Sequence, residues 1–134
     1  MGKQRPKFSR AGQFVRTYTP KDTINYEQWV KTCYIQAGGK HYKDQPIKIS
    51  IDIYYKIPKA FSKKKRQQAN DGAIVPTVKP DADNVLKIIC DSLNGIAYDD
   101  DKQVARAIII KHYDTEPRVE VVIGSLYEQI FMIK

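Results

Sequence analysis

Residues 47–57, "IKISIDIYYKI", decide the fold. Ile47, Ile49, Ile51, Ile53, Tyr55 and Ile57 alternate with Lys48, Ser50, Asp52, Tyr54 and Lys56. That is the period of a strand with one face on a core and the other towards water. Pro58 closes the strand, because proline donates nothing to a ladder. Such a strand needs partners beside it and a layer over its apolar face, and the flanking sequence supplies both. Upstream, "FVRTYTP" (14–20) ends a strand at Pro20. "KDTINYEQWVKTCYIQAGG" (21–39) then reads as a helix capped by Asp22 or Thr23 and ended by Gly38 and Gly39. Its apolar residues Tyr26, Trp29, Val30, Cys33 and Ala37 recur at helical spacing.

Downstream, "SKKKRQQAN" (62–70) predicts a short basic helix with Ser62 as N-cap. Gly72, Pro76 and Pro80 break residues 70–80 into a loop. A second strong helix starts at Ala82 or Asp83 and runs to about Leu93, with Leu86, Ile89, Cys90 and Leu93 as its buried stripe and Asn94–Gly95 as its stop. "QVARAIIIKHY" (103–113) and "PRVEVVIG" (117–124) are two strands separated by "DTE", the pattern of a hairpin. Residues 125–134 fit a strand or a short helix. The order predicts one mixed α/β (α+β) domain over 1–134, a mixed sheet packed by helices, with the basic 1–13 stretch and the 70–80 loop expected to be mobile.

The totals agree. The 134 residues fit a single domain, and 42% are hydrophobic, enough for one core. Nothing is long and apolar enough to span a bilayer, and no secretory h-region follows Met1, so an intracellular, cytoplasmic protein with no membrane partner is expected. Cys33 and Cys90 sit in apolar segments without metal-type spacing and read as reduced, buried thiols. The formal charge is +8 but uneven. Residues 1–79 hold 17 Lys/Arg against 5 Asp/Glu, and residues 80–134 hold 6 against 10. A basic half of this kind suits a polyanionic partner.

Against that background residues 79–104, "KPDADNVLKIICDSLNGIAYDDDKQV", carry six of the fifteen acids. Asp81 and Asp83 stand at a helix start, where carboxylates commonly cap free N–H groups. Asp83, Lys87 and Asp91 share the polar face, where an i,i+4 ion-pair ladder would look the same. Asp99, Asp100 and Asp101 would otherwise be a solvated turn. If the turn folds back towards the helix start, the two clusters offer hard oxygen ligands of the type that Mg²⁺ or Mn²⁺ takes in phosphodiester chemistry. An EF-hand fails, since Leu86 stands where glycine is needed and Ser92 where glutamate is. No phosphate-cradling GxxxxGK[ST] loop exists, so no nucleotide cofactor is expected. His41 and His112 have no ligand spacing and read as ordinary polar residues.

The same window resembles the signature of the RusA-type Holliday junction resolvases, a family of endodeoxyribonucleases of bacteria and their phages. The matching residues are Lys79, Pro80, Asp81, Asp83, Asn84, Lys87, Asp91, Leu93, Asn94, Gly95, Asp100, Asp101, Gln103 and Val104. Weaker likeness covers "RPKFSR", "YTP" and "SKKKR". The resemblance implies a homodimer that binds four-way DNA junctions in the cell of a bacterium or phage host and makes paired, symmetric nicks with Mg²⁺ or Mn²⁺. It implies Asp81, Asp83 and Asp101 as metal ligands, Lys87 as a catalytic lysine, and Asp91 and Asp100 as supporting acids. Beside such a site Lys63, Lys64, Lys65, Arg66 and Lys79 become a phosphate clamp, with Lys59, Arg5, Lys7 and Arg10 as further candidates. Tyr54, on the polar strand face, fits a DNA contact or an interface. The alternatives are a non-catalytic basic DNA-binding module and a nuclease for another branched or RNA substrate.

Overall fold

The structure, a computed structural model, describes residues 13–17 and 23–127. Its elements are β1 (Gln13–Thr17), α1 (Thr23–Gln36), β2 (Ile47–Lys56), α2 (Lys63–Asn70), α3 (Ala82–Leu93), β3 (Val104–Asp114) and β4 (Arg118–Ser125), with one 3-10 turn at Asp101–Gln103. The sheet order is β1-β4-β2-β3. β2 is antiparallel to β4 and parallel to β3, and β1 is antiparallel to β4. The parallel β2–β3 pair requires a long return connection, and α2, the 70–80 segment and α3 provide it.

The alternation read in 47–57 holds. Ile47, Ile49, Ile51 and Ile53 are buried, and their neighbours in β4, Val119, Val121 and Ile123, are buried with them. α1 contributes Tyr26, Val30, Cys33 and Tyr34 to this face, and α3 contributes Val85, Ile89, Cys90 and Leu93. Val85 therefore belongs to the buried stripe of α3, while Leu86 is only partly covered. Both cysteines are free and buried. No described helix is long and apolar enough to cross a membrane.

The predicted hairpin does not form. β3 and β4 follow each other in sequence, but β2 lies between them and takes ladder bonds from both. A strand buried along its whole apolar face must satisfy its backbone on both edges, so the most regular strand takes an inner position. Thr115–Pro117 arch over its end, where the Ile57 N–H donates to the Asp114 carbonyl at 3.1 Å. Three residues suffice for the roughly 10 Å that two strand spacings require. β3 becomes an edge, which explains why Ile108 and Ile110 stay exposed in so apolar a run.

The predicted α2 is present with its cap: Ser62 Oγ accepts the Lys65 N–H at 3.1 Å. The 70–80 segment is irregular, as expected, but anchored to the sheet at Val78 and Pro80. β4 ends at Ser125, and the Leu126 N–H donates to the Pro46 carbonyl. The expectations for 1–12, including Arg5, Lys7 and Arg10, and for 128–134 lie outside the described residues.

Candidate active site

α3 carries the acids of its own sequence at one end and receives the 99–101 turn at the other. At its start, Asp81 occupies the N-cap position, yet its side chain makes no capping bond. Asp83 stands in the first turn and accepts the Asn84 N–H at 3.0 Å. Capping therefore leaves the Asp81 carboxylate unaccounted for. Two residues that no sequence motif marks fix this end. The Tyr55 hydroxyl donates to the Pro80 carbonyl at 2.6 Å, and Lys111 Nζ donates to the Val78 carbonyl at 2.9 Å while lying 5.3 Å from the Tyr55 ring centre. Lys79, between those anchors, is exposed. Asp83, Lys87 and Asp91 then follow along the exposed face, each four residues and about 6 Å of rise from the last.

At the other end, Gly95 adopts φ +82° and turns the chain out of the helix. Tyr98 is fully buried, its hydroxyl donating to the Cys90 carbonyl at 2.6 Å. The next three residues are the acids, and Gln103 holds their backbone. Its Oε1 accepts the N–H groups of Asp99 (2.8 Å) and Asp100 (3.1 Å), and its Nε2 donates to the carbonyls of Tyr42 (2.9 Å) and Gln45 (3.0 Å). Asp100 Oδ1 accepts the Lys102 N–H at 3.1 Å. His41 adds a second tie, with Nε2 2.7 Å from Asp99 Oδ1 and Nδ1 2.9 Å from the Ile96 carbonyl. His41 is thus more than an ordinary polar residue. Its partner lies 58 positions away, and no local pattern could reveal it.

The electrostatics of the turn are lopsided. A hydrogen bond shared with Asp100, burial and the charges of Asp100 and Asp91 push the Asp101 carboxyl up from its ordinary value. The Lys102 N–H and the shared bond with Asp101 hold Asp100 down. Opposite shifts of this kind are what two adjacent like charges produce. Among the described residues no Lys or Arg side chain pairs with Asp81, Asp83, Asp91, Asp100 or Asp101.

The six acids do not form one cluster. Asp83 and Asp91 are separated by about 12 Å of helix, and the acids that act on Asp101 are Asp100 and Asp91. Among the described residues no three His, Cys, Asp or Glu side chains stand close enough to hold a metal ion. The expected ligands Asp81 and Asp83 therefore sit at one end of α3 and Asp101 at the other. Their carboxylate oxygens are the hard donors that Mg²⁺ or Mn²⁺ takes, but the described residues do not gather three of them round one point.

The basic residues divide as well. Lys63 and Lys64 of α2 are exposed, Lys65 lies 4.5 Å from the Phe61 ring centre, and Arg66 is partly buried and donates to the Pro58 and Lys59 carbonyls. On the polar face of the sheet Tyr54 is also engaged. His112 stacks on it at 4.6 Å and Arg118 lies over its ring at 3.7 Å. His112 Nε2 is 2.7 Å from Asp52 Oδ1. A cavity of about 500 Å³ opens beside this group, between Ala69–Val75 and the second half of β3, on a different part of the molecule from the acidic turn.

Comparison with known proteins gives these features a frame. The chain is 36% identical over 124 residues to YqaN of Bacillus subtilis (strain 168), an uncharacterized protein; the match covers 91% of this chain and 87% of that one. Residues 1–124 match the model of the family described as endodeoxyribonuclease RusA, a family of Holliday junction resolvases that bind and cut DNA in recombination. With nearly the whole described fold inside that match, and with the uncapped acids of α3 and the acids of the 99–101 turn both within it, the chain belongs to the RusA endodeoxyribonuclease family.

Proposed function

We propose that this chain resolves four-way DNA junctions by hydrolysing phosphodiester bonds in a pair of symmetric nicks, with Mg²⁺, or Mn²⁺ in its place, as the working ion. The observation that carries this reading is the set of family-matching carboxylates that no described cation neutralises, above all the uncapped Asp81 at the head of α3. Carboxylates placed only for stability would be capped or paired, since an uncompensated cluster repels itself. A bound divalent ion would lower the pKa of an attacking water and offset charge on the reacting phosphate. Asp81, Asp83 and Asp101 are its proposed ligands, with Asp91 and Asp100 shaping the acidic end.

The chain's own cations have a separate task. Lys87 lies on the exposed face of α3, between the two acid groups, where its ammonium can hold a phosphate oxygen near either. Lys63, Lys64 and Lys79 are exposed and free to follow the phosphate backbone. Arg66 shapes its loop through the Pro58 and Lys59 carbonyls. Contacts of this type read charge and backbone path, so binding should weaken steeply with salt and depend little on base sequence.

The test compares wild type with Asp83→Asn on a labelled synthetic four-way junction, with Mg²⁺ and with EDTA, scoring binding and nicking in the same samples. Symmetric nicks that need the ion and vanish in the variant while binding persists are expected. Binding without cutting by wild type, in Mg²⁺ and Mn²⁺ alike, would leave a non-catalytic DNA-binding module. Equal cutting of a flap or an RNA branch would move the substrate away from the junction.

A further inference from the structure

Asp81 has the backbone of a capping residue without the capping bond. At φ −70° and ψ 149° it stands close to Ser62, the cap of α2, at φ −65° and ψ 165°. Ser62 Oγ accepts the N–H three residues on, that of Lys65. At the head of α3 the equivalent N–H, that of Asn84, goes to Asp83 Oδ1 instead. Asp83 thus takes the amide that Asp81 would cap, and the chain before Asp81 must be held by other means. Residues 77–81 are all exposed, between buried Pro76 and buried Val85. Among the described residues no backbone–backbone hydrogen bond reaches 74–80. Neither burial nor secondary structure fixes the approach to Asp81.

Two side chains of the sheet do. Lys111 of β3 pairs in register with Ile53 of β2, and Tyr55 is the next residue of β2 on that same face. The two are therefore diagonal neighbours on adjacent strands. Tyr55 packs against the core, and its hydroxyl donates to the Pro80 carbonyl at 2.6 Å. Lys111 Nζ donates to the Val78 carbonyl at 2.9 Å and lies 5.3 Å from the Tyr55 ring centre. The bonded carbonyls belong to the residues one and three places before Asp81, so a turn about either anchor is opposed by the other.

We infer that Tyr55 and Lys111 are a positioning pair for the cutting reaction, holding the Asp81 carboxylate ready for the divalent ion. The inference rests on the ligand reading given above. Tyrosine suits the task, because its ring is seated in the core and only two torsions separate the hydroxyl from the backbone. Without the pair, residues 77–80 loosen and the Asp81 side chain can swing into the capping position that Ser62 shows. Aspartate is among the best capping residues, so a helix N–H then competes with the ion for the same oxygens.

The test uses the full chain, with Mn²⁺ alone as the first probe. Tyr55→Phe removes one hydroxyl and keeps the ring in the core. Mn²⁺ titrated without DNA and followed by electron paramagnetic resonance should bind on the order of 10-fold more weakly than to wild type. With a labelled four-way junction at limiting Mn²⁺, kcat for nicking should fall while KM for the junction holds, and excess Mn²⁺ should recover the rate. The melting temperature should move little, since the exposed Pro80 carbonyl can turn to water. Lys111→Met should weaken Mn²⁺ binding in the same way, and Lys111→Arg, which keeps a donor for the Val78 carbonyl, should restore it. The double variant Tyr55→Phe/Lys111→Met should lose less than the product of the two single losses, because both side chains hold one segment. Wild-type Mn²⁺ affinity and kcat in Tyr55→Phe would overturn the inference. So would a rise in KM alone in Lys111→Met, which would make that lysine a DNA contact. Asp81→Asn, run alongside, separates the two readings. If it binds Mn²⁺ and cuts like wild type, the ligand assignment itself fails. If it is silent while Tyr55→Phe is unchanged, the positioning role alone fails.

Discussion

Asp101 in the 99–101 turn and the carboxylates around Arg118 are the same chemical group in opposite states. Around Arg118 every charge is matched. Its Nη1 donates to Asp114 Oδ2 at 2.6 Å and to the Glu116 carbonyl at 2.8 Å, its Nε donates to Glu120 Oε2 at 2.7 Å, and its plane covers Tyr54. The guanidinium bond holds the Asp114 carboxyl below its ordinary value. In the turn, Asp101 is pushed the other way, by its bond to Asp100 and by neighbouring negative charge. The carboxylates around Arg118, like Asp99 beside His41, have been spent on the fold, and Asp101 has been kept from it. Residues that cost stability where they stand mark the places where a protein does work.

The largest effect that can break this comparison is catalytic. Asp81→Asn and Asp83→Asn should each lower junction nicking by at least on the order of 100-fold, since even outer partners of metal ligands are worth 10–100-fold. Thermal stability should stay unchanged or rise slightly, because no described cation is orphaned. Circular dichroism melts run beside gel-based nicking would check both. A large loss of stability in either variant would mean that these acids are structural after all. Arg118→Met should do the reverse. Two carboxylates lose their cation at a site where the arginine side chain is only 10% exposed, which costs about 2–3 kcal/mol in urea unfolding. Nicking per folded molecule should survive.

Gln103→Ala tests the border between the two regions. Its amide serves four backbone groups, two of them in the turn and two in the 42–45 segment. The two exposed N–H groups can turn to water, so a cost of about 1–2 kcal/mol is expected. A fall in nicking beyond the folded fraction is expected too, because the Asp99–Asp100 backbone that leads into Asp101 loses its anchor. Gln103→Glu should rescue little, since a carboxylate cannot donate to the Tyr42 and Gln45 carbonyls.

How much of this was legible in the sequence depends on the range of the physics. The alternation of 47–57, the Ser62 cap and the helix ending at Asn94–Gly95 are local, and each stands where the pattern puts it. The insertion of β2 between β3 and β4 is not local. "DTE" reads as a hairpin turn, and only competition among strands for the inner position overrides it. The site divides the same way. Its acids were legible as residues, because the window of 79–104 is dense in them. Their distance from one another was not, since the length of α3 and its anchoring by Tyr55, Lys111, Gln103 and His41 decide it. Those anchors bond across 23 to 61 positions, apart from Gln103's own short-range bonds to the turn.

The smallest expected effect is also the sharpest in sign. The folded-state pKa of Asp114 is depressed, so the Asp114–Arg118 bond contributes stability that is fully present above the ordinary carboxylate range and is lost as pH falls through the depressed value. Asp114→Asn should therefore destabilise the protein at neutral pH, by no more than about 1 kcal/mol, because its carboxylate is about a third exposed and partly screened. The difference between variant and wild type should shrink below about pH 4 as the wild-type carboxylate takes up its proton. Urea midpoints for the two proteins at neutral pH and in acid would show it. A gap that stays constant across that range would mean that Arg118 is held by Glu120 and the Tyr54 ring alone. The matched region would then owe its order to packing rather than to charge.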